Sequence, residues 1–204
     1  MLKVYTIPVS LYCAKLRILL RHKNLEWTEE PPPGGYGSPA YRAIVASGNL
    51  PALIDDDLLL TDSEAIAEYL NEKHATPAML PDGLAARAKM RELSRFHDTR
   101  LEPALRALFP HIPAAHRNME FLTHQADVIT QRLAHLATLD LKTDRNLMLG
   151  DCGYAVTFQW IAALARHIGL AIDWPNAVHA YRTWLEAQPA VAAERADYGP
   201  KVDA

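Results

Sequence analysis

Leu50, Asp62 and Ser63 are the residues whose types and spacing point most directly to chemistry. Asp62-Ser63 opens a helical segment, where unpaired N-terminal amides and the positive end of the helix dipole favour an anion. The amides of Asp62 and Ser63, together with the Ser63 hydroxyl, make a carboxylate-binding end. A little earlier, Asn49-Leu50-Pro51 turns into a short apolar run. Proline at the head of a strand has no amide to donate, and the residue before it is pushed to extended geometry. With a cis Leu50–Pro51 bond, the Leu50 amide and carbonyl would face outward and pair with an extended ligand. A peptide-pairing edge beside an anion pocket suits a small peptide with a free carboxylate. The competing reading is an ordinary hairpin followed by a capped helix.

Other candidates are weaker. Ser10 follows Pro8 at the end of a strand pattern and is either a helix cap or a reactive hydroxyl. Cys13 falls in the first helical turn, where the dipole lowers a thiol pKa, but Tyr12 and Leu16 offer it no CxxC partner, so it reads as packing. Cys152 reads as a small buried residue near a turn. The 9 histidines form no HExxH or Cys/His cluster, so no metal site is expected. Gly34-Gly35-Tyr36-Gly37 has neither dinucleotide nor phosphate-loop spacing, and no GxSxG serves a hydrolase.

The elements that must position these groups follow from periodicity. Residues 2–7 alternate as a strand, 11–23 make a helix with Asn24 as a left-handed end, and 25–29 form a second, parallel strand. A Pro/Gly loop at 31–37 leads to a short helix at 38–46. Residues 52–54 and 58–60 form a hairpin reversed by three aspartates. Thr61 and Glu64 are spaced as a capping box for a helix carrying Ile66, Tyr69 and Leu70 on one face. This makes a small mixed sheet with helices on its faces, complete near residue 74. Pro77, Pro81 and Gly83 mark a linker. Helices are then expected at 84–108, 115–137, 154–167, 175–187 and 189–196.

Composition bounds the function. The chain has 204 residues, half of them hydrophobic and 22% charged, which is globular usage. A net charge of −3 leaves no electrostatic footprint for nucleic acid or an anionic membrane. No apolar run approaches the roughly 20 residues that span a bilayer. With no signal-peptide pattern and 2 cysteines, a reducing cytoplasm is expected.

At this point the motifs resemble a known family. Strand, Pro-x-Ser and a helix carrying Lys15-Leu16-Arg17-Ile18 resemble the active-site corner of Ser-type cytosolic glutathione transferases. Asn49-Leu50-Pro51-Ala52-Leu53 is similar to their cis-proline turn, and the segment from Leu60 through Asp62-Ser63 to Tyr69-Leu70 to their glutathione-binding helix. Leu149-Gly150-Asp151 resembles the start of their central helix, and Trp174-Pro175-Asn176 through Gln188-Pro189-Ala190 their closing helices.

The resemblance implies an α/β thioredoxin-like N-terminal domain over residues 1–75, a linker at 76–84, and an all-α C-terminal domain over 85–204. It implies glutathione as co-substrate, no metal, and a homodimer. Glutathione is then held by Asn49, Leu50, Pro51, Asp62 and Ser63, and activated by Ser10. A free thiol has a pKa of about 8.5, and lowering it by ~2 units takes about 2.7 kcal/mol. One hydroxyl donating to the sulfur, aided by the helix dipole, supplies that. The electrophile pocket is expected near Tyr12, His97, Arg100 and Phe109, where His97 and Arg100, sharing a helix face at i and i+3, either polarise an acidic substrate or form a solvated face. The implied reactions are conjugation, dehalogenation or peroxide reduction. The alternatives are cis–trans isomerisation of a maleyl-type acid, as in the zeta-like branch, or a non-catalytic ligand-binding or interaction module. The sequence departs from the family at the central helix, where Tyr154 and Thr157 replace the usual capping pair and Asp151 is the substitute cap.

Overall fold

The computed structural model describes residues 1–202. Strand β1 (Leu2–Tyr5) leads through helix α1 (Leu11–His22) to β2 (Trp27–Glu30), a parallel neighbour of β1. After α2 (Pro39–Arg42), strands β3 (Ala52–Asp55) and β4 (Leu58–Thr61) form the hairpin, and α3 (Ser63–Lys73) closes the unit. The sheet order is β2-β1-β3-β4, with β3 antiparallel to both β1 and β4.

Helices make up the rest. They are α4 (Leu84–Phe96), α5 (Glu102–Arg106), α6 (Met119–Leu136), α7 (Tyr154–Ile168), α8 (Asn176–Glu186) and α9 (Pro189–Val202). This is the expected architecture: a thioredoxin-like mixed α/β unit followed by an all-helical one. No helix of the described residues is long and apolar enough to cross a membrane.

Helix α1 ties the halves together. Its apolar residues Leu16, Ile18, Leu19 and Leu20 are all but fully buried, because α3 packs on one side and α7 and α9 on another. Lys15 and Arg17 on the helix and Lys23 just after it are therefore buried too, and each has a partner. Arg17 donates to Glu194 at 2.7 Å and to Thr6 at 3.1 Å. Lys23 Nζ donates to the carbonyls of His74 and Pro77, both at 2.7 Å. Burying such charges without partners is costly, so the pairing is a condition of the fold.

Four local expectations are corrected. Thr61 and Glu64 form no capping box: Thr61 belongs to β4, opposite Ala52. The chain turns one residue later at Asp62 (φ 77), whose carboxylate accepts from the Glu64 and Ala65 amides at 2.9 and 3.1 Å. The helix at 38–46 shrinks to α2, capped by the Ser38 hydroxyl. α6 begins only at Met119, where Asn118 caps the Phe121 amide. The expected rod over 84–108 contains a π-turn at His97–Leu101, closed by a bond from the Glu102 amide to the His97 carbonyl.

Candidate functional site

A cavity of about 760 Å³ separates the sheet unit from the helical unit. One wall comes from the β1–α1 corner, the turn before β3 and the start of α3; the other comes from α4, the π-turn and α5.

On the first wall the groups facing the cavity are mostly backbone. The Leu50–Pro51 bond is cis. Leu50 lines the cavity, and neither its amide nor its carbonyl pairs with another backbone group among the described residues. Asn49 and Tyr36 flank it, with 3.5 Å between the Tyr36 hydroxyl and the Asn49 side-chain oxygen. Pro51 is buried behind this rim and does not line the cavity. Asp62 and Ser63 line the adjoining stretch. The amides of both, and the Ser63 hydroxyl, have no acceptor among the described residues. Four of the five sequence-predicted binding residues, Asn49, Leu50, Asp62 and Ser63, thus line one opening, and Pro51 does not.

Ser10 stands at the head of α1 on the same wall. Its oxygen accepts from the Cys13 amide at 3.3 Å, so it caps the helix. Capping uses a lone pair and leaves the hydroxyl proton available to a ligand. The cap and reactive readings of Ser10 are therefore compatible. Cys13 is 1% exposed and faces away from the cavity, and burial pushes its thiol pKa up. Cys152 is buried likewise.

Tyr12 and Phe109 line the cavity as expected; His97 and Arg100 do not. His97 is 2% exposed and points into the helical unit, bridging Asp98 and Thr157 at 2.7 Å each. It lies so close to Gly153 that a Cβ there would meet its ring at 2.4 Å. Arg100 lies on the exposed side of the π-turn. The wider turn pulls residues three apart off a common face, so the helical spacing assumed for this pair does not apply. The wall is made instead by Arg95, Asp98, Glu102 and Arg106, spaced three or four apart. That charged stripe was the signal available in the sequence.

Lys15, 3% exposed, joins the two walls. Its Nζ donates to Glu64 Oε2 at 2.8 Å and to both Asp98 oxygens at 3.1 and 2.9 Å. Burial alone would raise the Asp98 carboxyl, but the bond from His97 and the Lys15 charge hold it at about 2. Tyr12 donates to Glu102 Oε2 at 3.0 Å. Burial and the neighbouring carboxylates push that phenol well above its ordinary value, so it stays neutral with its proton committed.

Asp151 does not cap α7. Its carboxylate accepts from the Met148 amide at 2.8 Å, both Arg145 nitrogens and the Tyr181 hydroxyl, and so secures the 3₁₀ turn before the helix. Thr157 partners His97, and Tyr154 donates to the Leu93 carbonyl at 2.7 Å. No metal-ligating cluster occurs among the described residues.

Comparison with known proteins bears on this cavity. The glutathione S-transferase N-terminal domain model matches residues 4–78. The chain is 28% identical over 190 residues to the maleylacetoacetate isomerase of Pseudomonas aeruginosa, covering 86% of this chain and 87% of that one. It is 32% identical over 90 residues to a stringent starvation protein A homolog of Pasteurella multocida, 44% of this chain and 42% of the relative. Among solved structures, a glutathione-S-transferase from Xylella fastidiosa superposes with a TM-score of 0.76 at 25% identity, covering 98% of this chain and 99% of that one.

Proposed function

We propose that the chain is a member of the cytosolic glutathione transferase family, on the match of residues 4–78 to that family's N-terminal domain, and that it activates glutathione for attack on a small electrophile. One observation carries this reading. An unpaired peptide edge at Leu50, an unpaired helix start at Asp62-Ser63 and a hydroxyl at Ser10 line one cavity. That set fits a tripeptide with a backbone to pair, a carboxylate to anchor and a thiol to activate.

Bound glutathione supplies the nucleophilic sulfur. The Ser63 hydroxyl and the first α3 amides hold a carboxylate, with the helix dipole behind them. The Asp62 carboxylate, beside them, suits an ammonium group. Leu50 pairs with peptide backbone, and Asn49 borders it. Ser10 donates its proton to a thiolate at the head of α1, where the dipole also favours negative charge. Geometry supports Ser10 over the other candidates: Tyr12 has its proton on Glu102, and Cys13 is buried behind the helix start. Calorimetry should show wild-type protein binding glutathione, with Ser63→Ala weaker by about 1–3 kcal/mol. No binding by wild type, or an unchanged affinity in Ser63→Ala, would contradict the assignment.

Isomerisation of a maleyl-type acid is a second reading, favoured by a match to the Pseudomonas isomerase that runs through 86% of the chain. The reading also includes a cytoplasmic homodimer. Light scattering at micromolar concentration should give twice the chain mass, and a monomer would remove that part.

A further inference from the structure

The helical wall carries an asymmetry between its acids and its bases. Every oxygen of its two carboxylates already has a donor. Asp98 accepts from His97 and twice from Lys15. Glu102 accepts from Tyr12 on one oxygen and from Arg106 on the other. The bases are different. Arg95 approaches Asp98 only to 3.6 Å, beyond a good hydrogen bond. Arg106 gives Glu102 a single nitrogen, while Nε and the other terminal nitrogen have no acceptor among the described residues. A guanidinium has five donors, so most of those on Arg106 remain open.

Arg106 is also held in place. Its guanidinium carbon lies 5.6 Å from the Tyr12 ring centre and 6.0 Å from that of Phe109, and Glu102 anchors its edge. Its side chain is nonetheless 51% exposed. A fixed fork of open donors between two aromatic faces matches a planar oxyanion attached to a flat, unsaturated body. Arg95 does not share this task. Eleven residues earlier, it lies on α4, on the other side of the π-turn from Arg106.

We infer that Arg106 is the specificity-determining residue for the electrophile, and that it selects substrates bearing a carboxylate, with the unsaturated carbons beside the Tyr12 and Phe109 rings that flank the guanidinium. The inference rests on the glutathione reading above and adds the class of co-substrate.

The test compares two glutathione conjugates that differ in one group, S-(4-carboxy-2-nitrophenyl)glutathione and its 4-carboxamide. Calorimetry on the full-length wild type should show the carboxylate conjugate binding roughly 10- to 100-fold more tightly, the range of a charge-assisted hydrogen bond. Arg106→Gln should collapse that ratio to within about threefold of one, and Arg106→Lys, which keeps a charge beside Glu102, should retain part of it. The kcat/KM ratio for 4-chloro-3-nitrobenzoate over 4-chloro-3-nitrobenzamide, wild type against variant, should fall in parallel. Equal affinities in the wild type, or a preference that survives in Arg106→Gln, would overturn the inference. Should Arg106→Gln fail to fold, the wild-type ratio and Arg106→Lys decide. Glutathione alone, titrated in the same experiment, separates the two claims. If it binds and the conjugates are not distinguished, only this inference falls; if it does not bind, the underlying reading falls with it.

Discussion

The sheet-side wall of the cavity presents its functional groups largely on the backbone, at Leu50, Asp62 and Ser63, whereas the helical wall presents side chains at Arg95, Asp98, Glu102 and Arg106. Backbone donors are fixed by the turn before β3 and the start of α3, and no substitution of a neighbouring side chain removes them. On the helical wall the two half-exposed side chains, Arg95 and Arg106, can change without disturbing the turn that carries them. The first wall is thus suited to a constant ligand and the second to a variable one. Lys15 joins them, since its ammonium holds Glu64 on one side and Asp98 on the other.

Cutting that joint should have the largest effect. Lys15→Met leaves the Glu64 and Asp98 carboxylates facing each other without the cation between them, and removing one partner of such a buried group costs about 3–5 kcal/mol. Urea unfolding should show a loss of that order; a loss below about 1 kcal/mol would mean that the walls are held by packing alone.

A smaller effect should appear with pH. The Asp98 carboxyl is held at about 2 in the fold, below the ordinary aspartate value of about 3.9, so its contribution is fully present above that value. It is lost as pH falls through the folded value. The difference corresponds to roughly 2 kcal/mol. Acid unfolding of the wild type should therefore steepen below about pH 4, and Asp98→Asn should flatten that limb. Parallel acid limbs would show that Asp98 is not linked to folding in this way.

Legibility divides along the same line as the walls. The turn at Asn49-Leu50-Pro51 and the helix start at Asp62-Ser63 are local, so the residues that make them sit within a short stretch and could be read. The thioredoxin-like and all-helical parts were legible from periodicity and from the family resemblance. The capping box failed although it too is local, because the role of Thr61 is decided by its pairing with Ala52. The helical wall failed for a related reason. A π-turn at His97–Leu101 has no propensity signature, and assuming an unbroken helix put His97 and Arg100 in place of Asp98 and Glu102. The basic residues of α1 looked like mixed faces because their partners are remote: Glu64 lies 49 residues from Lys15, and Glu194 lies 177 from Arg17.

The central claim concerns Ser10, which caps α1 through its oxygen and still has a proton to give. The most direct measurement is the pKa of the thiol of bound glutathione, followed by thiolate absorbance in wild type and Ser10→Ala. In the wild type it should lie well below the free value of about 8.5, by roughly 2 units. Ser10→Ala should return most of that shift and lower kcat/KM by roughly 10- to 100-fold, while Cys13→Ala changes neither. An unshifted thiol in the wild type, or the same depressed pKa in Ser10→Ala, would contradict the account.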